Sequence, residues 1–281
     1  MTIDFENILI LAQKELRDAL RNRWFLLYAL AFAALSLALA WTALSGAGDY
    51  GLAGFGRTGA SLINLVLLIV PLMGLSLGAM SLAGEREQGT LLYLLAQPIN
   101  QIELLLGKSI GLALALVAAL VLGFGLTGVT ITLTGNGNGS GEISIYLRLL
   151  LLSCLLAVAS LSIGFLISAA TKRGATAIGL ALFVWLVLVF LGDLGVLGTG
   201  LMLRLDVSQL LALVLANPLQ LFKVAAIYNI RDNLEVLGPA GLYALRTYGS
   251  HLFPLLVGLL LLWIVVPFLG TTYLFRRKGA L

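Results

Sequence analysis

The pattern of apolar and polar positions divides this 281-residue chain into long uncharged stretches separated by polar segments. Each apolar stretch is long enough to cross the hydrocarbon core of a bilayer, which takes about 20 helical residues. A soluble helix rarely stays apolar on all sides over that length, and continuous rather than alternating hydrophobicity argues against a transmembrane β-barrel. The pattern predicts an all-α polytopic membrane protein with six spans, at about residues 24–45, 60–83, 109–134, 148–170, 175–194 and 253–275.

The main polar segments lie before, between and after these spans. Residues 1–23 precede the first span, and residues 276–281 form the tail. Residues 84–108 connect the second span to the third, and residues 195–251 connect the fifth to the sixth. Residues 24–275 are therefore expected to form one transmembrane domain. A hydrophobic fraction of 60% and a charged fraction of 11% agree with this class of protein.

Basic residues predict which side of the membrane each connection faces. Lys and Arg cluster before the first span and after the second, fourth and sixth, whereas the first outer loop holds only Arg57 and loop 135–144 holds none. Because short basic loops stay in the cytoplasm, we expect both termini to be cytoplasmic, in the inner membrane of a bacterium. This use of the cations accounts for the net charge of +4 without a nucleic acid as partner.

Residues 4–23 have the periodicity of an amphipathic helix that lies on the membrane. Its predicted apolar face consists of Phe5, Ile8, Leu9, Ala12, Leu16, Ala19 and Leu20. Lys14, Arg17 and Arg21 occupy the opposite face, where they can meet lipid headgroups. Such a helix serves either as a simple anchor or as an elbow helix that transmits force from a cytoplasmic partner. The residues alone favour the anchor.

The connection between the second and third spans begins with an acidic turn. It reads Gly84-Glu-Arg-Glu-Gln-Gly-Thr90 and continues as a short apolar helix that is expected to end before Pro98. Glu85 and Glu87 lie one residue apart, and by themselves they indicate only helix capping and solvation.

The connection between the fifth and sixth spans is too long for a bare loop. Residues 207–216 form an apolar segment too short to span a membrane, and it ends at Asn217-Pro218. This segment either lies in the interface or enters the membrane and returns, and the sequence leaves both arrangements open.

Catalytic and metal-binding chemistry finds little support in the residues. With one histidine, His251, and one cysteine, Cys154, the chain alone provides neither a catalytic triad nor a His- or Cys-rich metal site. Gly107-Lys108-Ser109 resembles the end of a phosphate loop, but Ile102 occupies the position where that motif needs glycine. The spans have essentially no ionisable residues, which argues against ion-coupled transport. If ATP drives this protein, a separate chain must bind it.

Taken together, these features resemble the ABC-2 type permease family, with the fold of type V exporters. The resemblance rests on residues 14–24, on the acidic turn with Gln97-Pro98-Ile99, on Ala216-Asn-Pro218 and on the tail Phe275-Arg-Arg-Lys278, and it covers essentially the whole chain. It implies a non-catalytic homodimer of permeases with two cytoplasmic ABC ATPase subunits, which bind ATP and Mg. No cofactor is expected in this chain.

The resemblance also implies roles for particular residues. It implies that the residues that couple the permease to the ATPase are Glu85, Arg86, Glu87, Gly89, Thr90 and Pro98. Lys14, Arg17 and Arg21 belong to the elbow helix, and Asn217 with Pro218 belongs to the outer gate.

Within the family, the chain is similar to permease subunits that help assemble the copper sites of nitrous oxide reductase. That similarity rests on Gly107-Lys108 leading to Gly123-Phe-Gly125, on residues 179–193 and on Asn217-Pro218, and it weakens in outer loop 220–250. It implies a periplasmic β-helical protein as a further partner. Three functions stay open: a permease serving copper-site assembly by export or mechanical coupling, an ABC-2 exporter of lipid, glycan or drug, and a membrane scaffold without transport.

Overall fold

The computed structural model describes residues 4–45, 51–97, 99–133, 140–202, 207–231 and 238–278. The α-helices there are α1 (Phe5–Arg21), α2 (Arg23–Ser45), α3 (Gly51–Glu87), α4 (Thr90–Leu95), α5 (Gln101–Leu133), α6 (Ser140–Ala170), α7 (Gly174–Met202), α8 (Val207–Leu215), α9 (Pro218–Arg231), α10 (Gly238–Tyr248) and α11 (Leu252–Lys278). Within these ranges every element is helical, which confirms the predicted all-α fold.

Five of these helices are long and apolar enough to cross a membrane. They are α2, α3, α5, α6 and α11, and they correspond to the first four predicted spans and the last. The remaining prediction, at 175–194, falls on α7, whose apolar stretch Gly174–Phe190 is shorter than the other five. The crossing by α7 therefore stays a prediction.

Close packing of α3 against α6 forms the centre of the bundle. Glycines make this approach possible, because a Cβ atom at Gly74 would lie 2.7 Å from the carbonyl oxygen of Ala157. A Cβ atom at Gly164 would lie 2.6 Å from the carbonyl oxygen of Leu75, and one at Gly78 would collide with that of Leu161. Small residues allow two helix backbones to approach this closely inside a membrane.

The connection between α7 and α11 contains the helices α8 and α9, and α9 packs into the bundle. Phe222 and Leu221 of α9 are fully buried, and α9 packs against α3, α6, α7 and α11. The turn before α9 contacts Leu188 in the interior of α7, whereas Asn229 near its other end contacts Ile145 near the start of α6. The two arrangements that the sequence left open for residues 207–216 stay predictions.

Helices α3 and α5 both extend into the predicted loop 84–108. Helix α3 continues to Glu87 and α5 begins at Gln101, because side chains in these extensions find partners on other helices. Pro98, residues 134–139 of the glycine-rich loop and residues 279–281 of the tail lie outside the described residues. The role implied for Pro98 therefore has no structural description.

Candidate coupling site

A buried lysine joins three helices at the end of the bundle where α1 lies. Lys108 of α5 places its Nζ atom 2.7 Å from Glu15 Oε1 of α1 and 2.7 Å from Glu85 Oε1 of α3. Only 1% of the Lys108 side chain is exposed, against 9% for Glu15 and 19% for Glu85. Lys14 Nζ adds contacts of 3.1 Å to Glu15 and 3.6 Å to Glu85. We call Lys14, Glu15, Glu85 and Lys108 the ion cluster.

The ion cluster favours the charged forms of its members in α1. Burial alone would raise the pKa of Glu15, but the ammonium groups of Lys108 and Lys14 outweigh it and hold the pKa below its ordinary value. Burial likewise opposes the charge on Lys14, and the carboxylates of Glu15 and Glu85 outweigh it, so the pKa of Lys14 is raised. Both shifts favour the ion pair between Lys14 and Glu15.

Two glycines of α5 bring α1 close enough for the ion cluster to form. A Cβ atom at Gly107 would lie 3.1 Å from the carbonyl oxygen of Ile8, and one at Gly111 would collide with that of Ala12. The predicted apolar face of α1 is accordingly divided between two surroundings. Ile8, Ala12 and Ala19, with Leu11, are buried, whereas Phe5, Leu9 and Leu20 are exposed. Helix α1 thus packs on α5 and also presents an apolar surface outward.

Glu103, in the first turn of α5, fastens the beginning of α1. Its carboxylate accepts hydrogen bonds from the backbone N–H of Asp4 at 3.0 Å and from Asn7 Nδ2 at 3.2 Å. It also accepts from the backbone N–H of Asn100 at 3.2 Å. The side chain thus caps its own helix and holds the start of α1 to it.

Arg86 and Glu87 connect the end of α3 to two further helices. Arg86 Nη1 donates to the carbonyl oxygen of Thr171, just past the end of α6. Glu87 Oε2 accepts from the backbone N–H of Gly174, the first residue of α7, at 2.8 Å. Three consecutive residues at the end of α3 therefore contact other parts of the bundle. Glu85 contacts α1 and α5 through the ion cluster, Arg86 contacts Thr171 after α6, and Glu87 contacts the start of α7.

The sequence alone indicated helix capping and solvation for Glu85 and Glu87, and the structure agrees with this only in part. The predicted solvated loop is wrong for Glu85, which lies in α3 and is largely buried because Lys108 supplies its counter-charge. Glu87 does act as a cap, on the N-terminus of α7.

After the acidic turn, the chain reverses into the short helix α4. Gly89 has a φ of 75°, a conformation that glycine adopts without strain. Thr90 Oγ1 donates to the carbonyl oxygen of Glu85 at 3.2 Å. Leu91 is buried, whereas Leu92 and Tyr93 are exposed. Helix α4 is thus fixed on one side and presents an apolar surface on the other.

The residues assigned to the elbow helix and outer gate have different surroundings. Lys14 belongs to the ion cluster, whereas Arg17 and Arg21 are exposed. Asn217 Nδ2 donates to the carbonyl oxygen of Leu188 in α7 at 2.7 Å, and its Oδ1 accepts from the N–H of Leu219 at 2.9 Å. Pro218 is the first residue of α9, where its missing N–H costs nothing. Asn217 thus joins the start of α9 to α7.

Sequence reasoning missed Glu15 and Lys108 as members of the site. In the sequence, Lys108 contributed to a rejected phosphate loop and to the subgroup resemblance, with no binding partner assigned to it. A lysine at the start of an apolar span needs a carboxylate partner, and that requirement could have identified it. Among the described residues, no group of three His, Cys, Asp or Glu side chains could hold a metal ion.

The described helices form an apolar bundle with an ion cluster at one end, and sequence comparison defines the class of the protein. The profile of the family described as ABC-2 family transporter protein matches residues 9–280. The chain belongs to this family. It is a multi-pass membrane protein of the permease class.

Two relatives share much of the chain. The chain is 32% identical over 271 residues to the probable ABC transporter permease protein NosY of Stutzerimonas stutzeri, covering 95% of this chain and 97% of that protein. It is 36% identical over 217 residues to the protein of the same name from Pseudomonas aeruginosa, covering 76% of this chain and 79% of that one. Membership in an ABC transporter family implies an ATPase as partner.

Proposed function

We propose that this chain is the permease subunit of an ATP-driven ABC transporter that serves copper-site assembly of nitrous oxide reductase. In this proposal two copies form a homodimer with two cytoplasmic ATPase subunits, and a periplasmic β-helical protein docks on the outer side. The observation that carries the coupling function is the ion cluster, which joins α1, α3 and α5 through Lys108.

The ion cluster supports coupling because it gives a force on the cytoplasmic side a rigid path into the spans. Helix α4 presents Leu92 and Tyr93, and an apolar surface of this kind suits docking on a protein. Movement of α4 would act on the end of α3, to which it is joined by residues 88–89. From there Glu85 leads to α1 and α5, Arg86 to α6 and Glu87 to α7.

The copper-site role is supported by the relatives named NosY and by the subgroup resemblance of residues 107–125 and 179–193. In this proposal the chain does mechanical or export work for a periplasmic partner. Hydrolysis of ATP takes place on the partner ATPase, which also binds the Mg ion.

Glu85→Gln is expected to separate ATP hydrolysis from copper-site assembly. The substitution keeps the side-chain shape and removes the negative charge that pairs with Lys108. We expect the complex to assemble and hydrolyse ATP, while the yield of copper-loaded nitrous oxide reductase falls about tenfold, because a hydrogen bond between charged groups contributes about 1.5–3 kcal/mol. Steady-state ATPase rate and the visible absorption of the reductase copper sites measure the two quantities.

Glu6→Gln provides the matched control, since Glu6 is an exposed carboxylate in the first turn of α1. Its yield of copper-loaded reductase should equal that of the wild type. A wild-type yield from Glu85→Gln would contradict the coupling role of the ion cluster. Full copper loading by a complex whose ATPase is hydrolysis-dead would favour a scaffold, and ATPase stimulation by lipid or drug would favour an exporter.

A further inference from the structure

Ser168, near the end of α6, places its hydroxyl group against the backbone of α3. The hydroxyl donates to the carbonyl oxygen of Ala79 at 2.7 Å. It accepts from the N–H of Leu82 at 3.0 Å and from the N–H of Ala83 at 2.8 Å. A serine hydroxyl has one hydrogen to donate and two lone pairs, so these contacts use its whole capacity. The side chain is fully buried.

Two of the partners of Ser168, the carbonyl of Ala79 and the N–H of Ala83, are groups that a regular α-helix pairs with each other. In such a helix the N–H of Ala83 donates to the carbonyl of Ala79, four residues earlier. The neighbouring carbonyl, that of Gly78, accepts from the hydroxyl of Ser81 at 2.7 Å. Helices bend where a side chain enters this ladder. Helix α3 can therefore bend at residues 79–83 while its N–H groups stay bonded to Ser168.

The turn that follows residues 79–83 carries the coupling residues. Residues 84–87 make the contacts to α1, α5, α6 and α7 described above. Thr171, whose carbonyl accepts from Arg86, lies about one helical turn beyond Ser168. The end of α3 is thus bonded at two positions: to Ser168 through residues 79–83, before Gly84, and to Thr171 through Arg86, after Gly84.

Three buried atoms of this last turn make no hydrogen bond within the described part of the chain. They are Glu85 Oε2, Arg86 Nε and Arg86 Nη2. A buried polar atom without a partner raises the free energy of the arrangement that leaves it so. A second position of residues 84–87 that pairs these atoms would relieve that cost.

We propose that Ser168 is a positioning residue about which the last turn of α3 pivots during the ATPase cycle. Residues 84–87 move relative to the rest of α3, and the hydroxyl of Ser168 keeps the backbone at 79–83 bonded to α6. The pivot rests on the coupling function proposed above, since it assigns to α6 a share of the movement that enters through residues 84–87.

Hydrogen–deuterium exchange of residues 79–90 tests the pivot in the permease–ATPase complex in lipid nanodiscs. In the wild type, trapping with ATP and vanadate should change exchange over residues 84–90 and leave that of Leu82 and Ala83 unchanged. In Ser168→Ala, the amides of Leu82 and Ala83 should exchange about tenfold faster without nucleotide, the factor expected for one hydrogen bond of ordinary net strength. Vanadate should then no longer change exchange over residues 84–90, because the turn has lost its pivot. Ser168→Thr, which retains the hydroxyl, should restore protection and the vanadate response.

Ser160→Ala is the matched control, because Ser160 is buried in the same α3–α6 crossing and donates to Leu156 of its own helix at 2.8 Å. It should keep wild-type exchange at 79–90. Equal exchange in Ser168→Ala and Ser160→Ala, or a vanadate response that survives in Ser168→Ala, would overturn the pivot. If no ATPase binds, the proposed function fails, and exchange without nucleotide in the two variants still shows whether Ser168 holds residues 79–83.

Discussion

Replacement of Lys108 by methionine is expected to lower the free energy of unfolding by about 3–5 kcal/mol, the range for removing one partner of a buried ion pair. Methionine has a similar length but no charge, so Glu15 and Glu85 would face each other without the ammonium group that now lies 2.7 Å from each. Because the half-exposed Lys14 is then the one cation of the ion cluster left to both carboxylates, we expect one of them to take up a proton or move toward water. Either change loosens α1 from α5 and from the end of α3.

Thermal unfolding of the purified permease in detergent measures this loss. The single cysteine, Cys154, is partly buried in α6, so a thiol-reactive fluorescent dye reports unfolding. Lys172→Met, the same substitution at an exposed position, should leave the melting temperature unchanged. Glu15→Gln combined with Lys108→Met should recover part of the loss, because one of the two facing charges is gone. A double variant less stable than Lys108→Met would contradict the ion cluster.

Replacement of Gly78 by alanine is expected to lower the free energy of unfolding by about 2 kcal/mol, within the range for overpacking a core. The added Cβ atom would collide with the carbonyl oxygen of Leu161 and lie 2.9 Å from the Cα atom of Gly164. Both obstacles are backbone atoms, so α3 and α6 must separate along their crossing. The bonds from Ser168 to α3 lie about one turn away and should weaken as well.

The same dye assay in detergent compares Gly78→Ala with Gly258→Ala. A Cβ atom at Gly258 of α11 would meet no atom within 4 Å, and alanine is the better helix former. Gly258→Ala should therefore be as stable as the wild type or slightly more so. Equal melting temperatures for the two variants would contradict the close α3–α6 crossing.

Much of the fold could be predicted because membrane spans are local in sequence. Continuous apolar runs placed five helices that the structure also has, since lipid requires each backbone to satisfy its own hydrogen bonds. Periodicity also predicted α1, but it did not distinguish lipid-facing from protein-facing apolar residues. Leu9 and Leu11 are both apolar, yet only Leu11 is buried against the protein.

The coupling site was only partly predictable, because its contacts join residues far apart in the chain. Glu85 was chosen by resemblance, but its partners Lys14 and Lys108 lie 71 and 23 residues away. The close approach of α3 and α6 at Gly78 could not be predicted from the sequence either. With 32 glycines in an apolar chain, a spacing of four residues between two of them arises often by chance.

The most direct test of the central claim is to purify this chain in mild detergent from its native membrane and identify the proteins that accompany it by mass spectrometry. The account predicts an ABC ATPase in equal amount, with two copies of each chain in the complex. A periplasmic β-helical protein in the same preparation would support the copper-site role. A preparation without any ATPase would contradict the account, because the end of α3 would then have no source of movement to transmit.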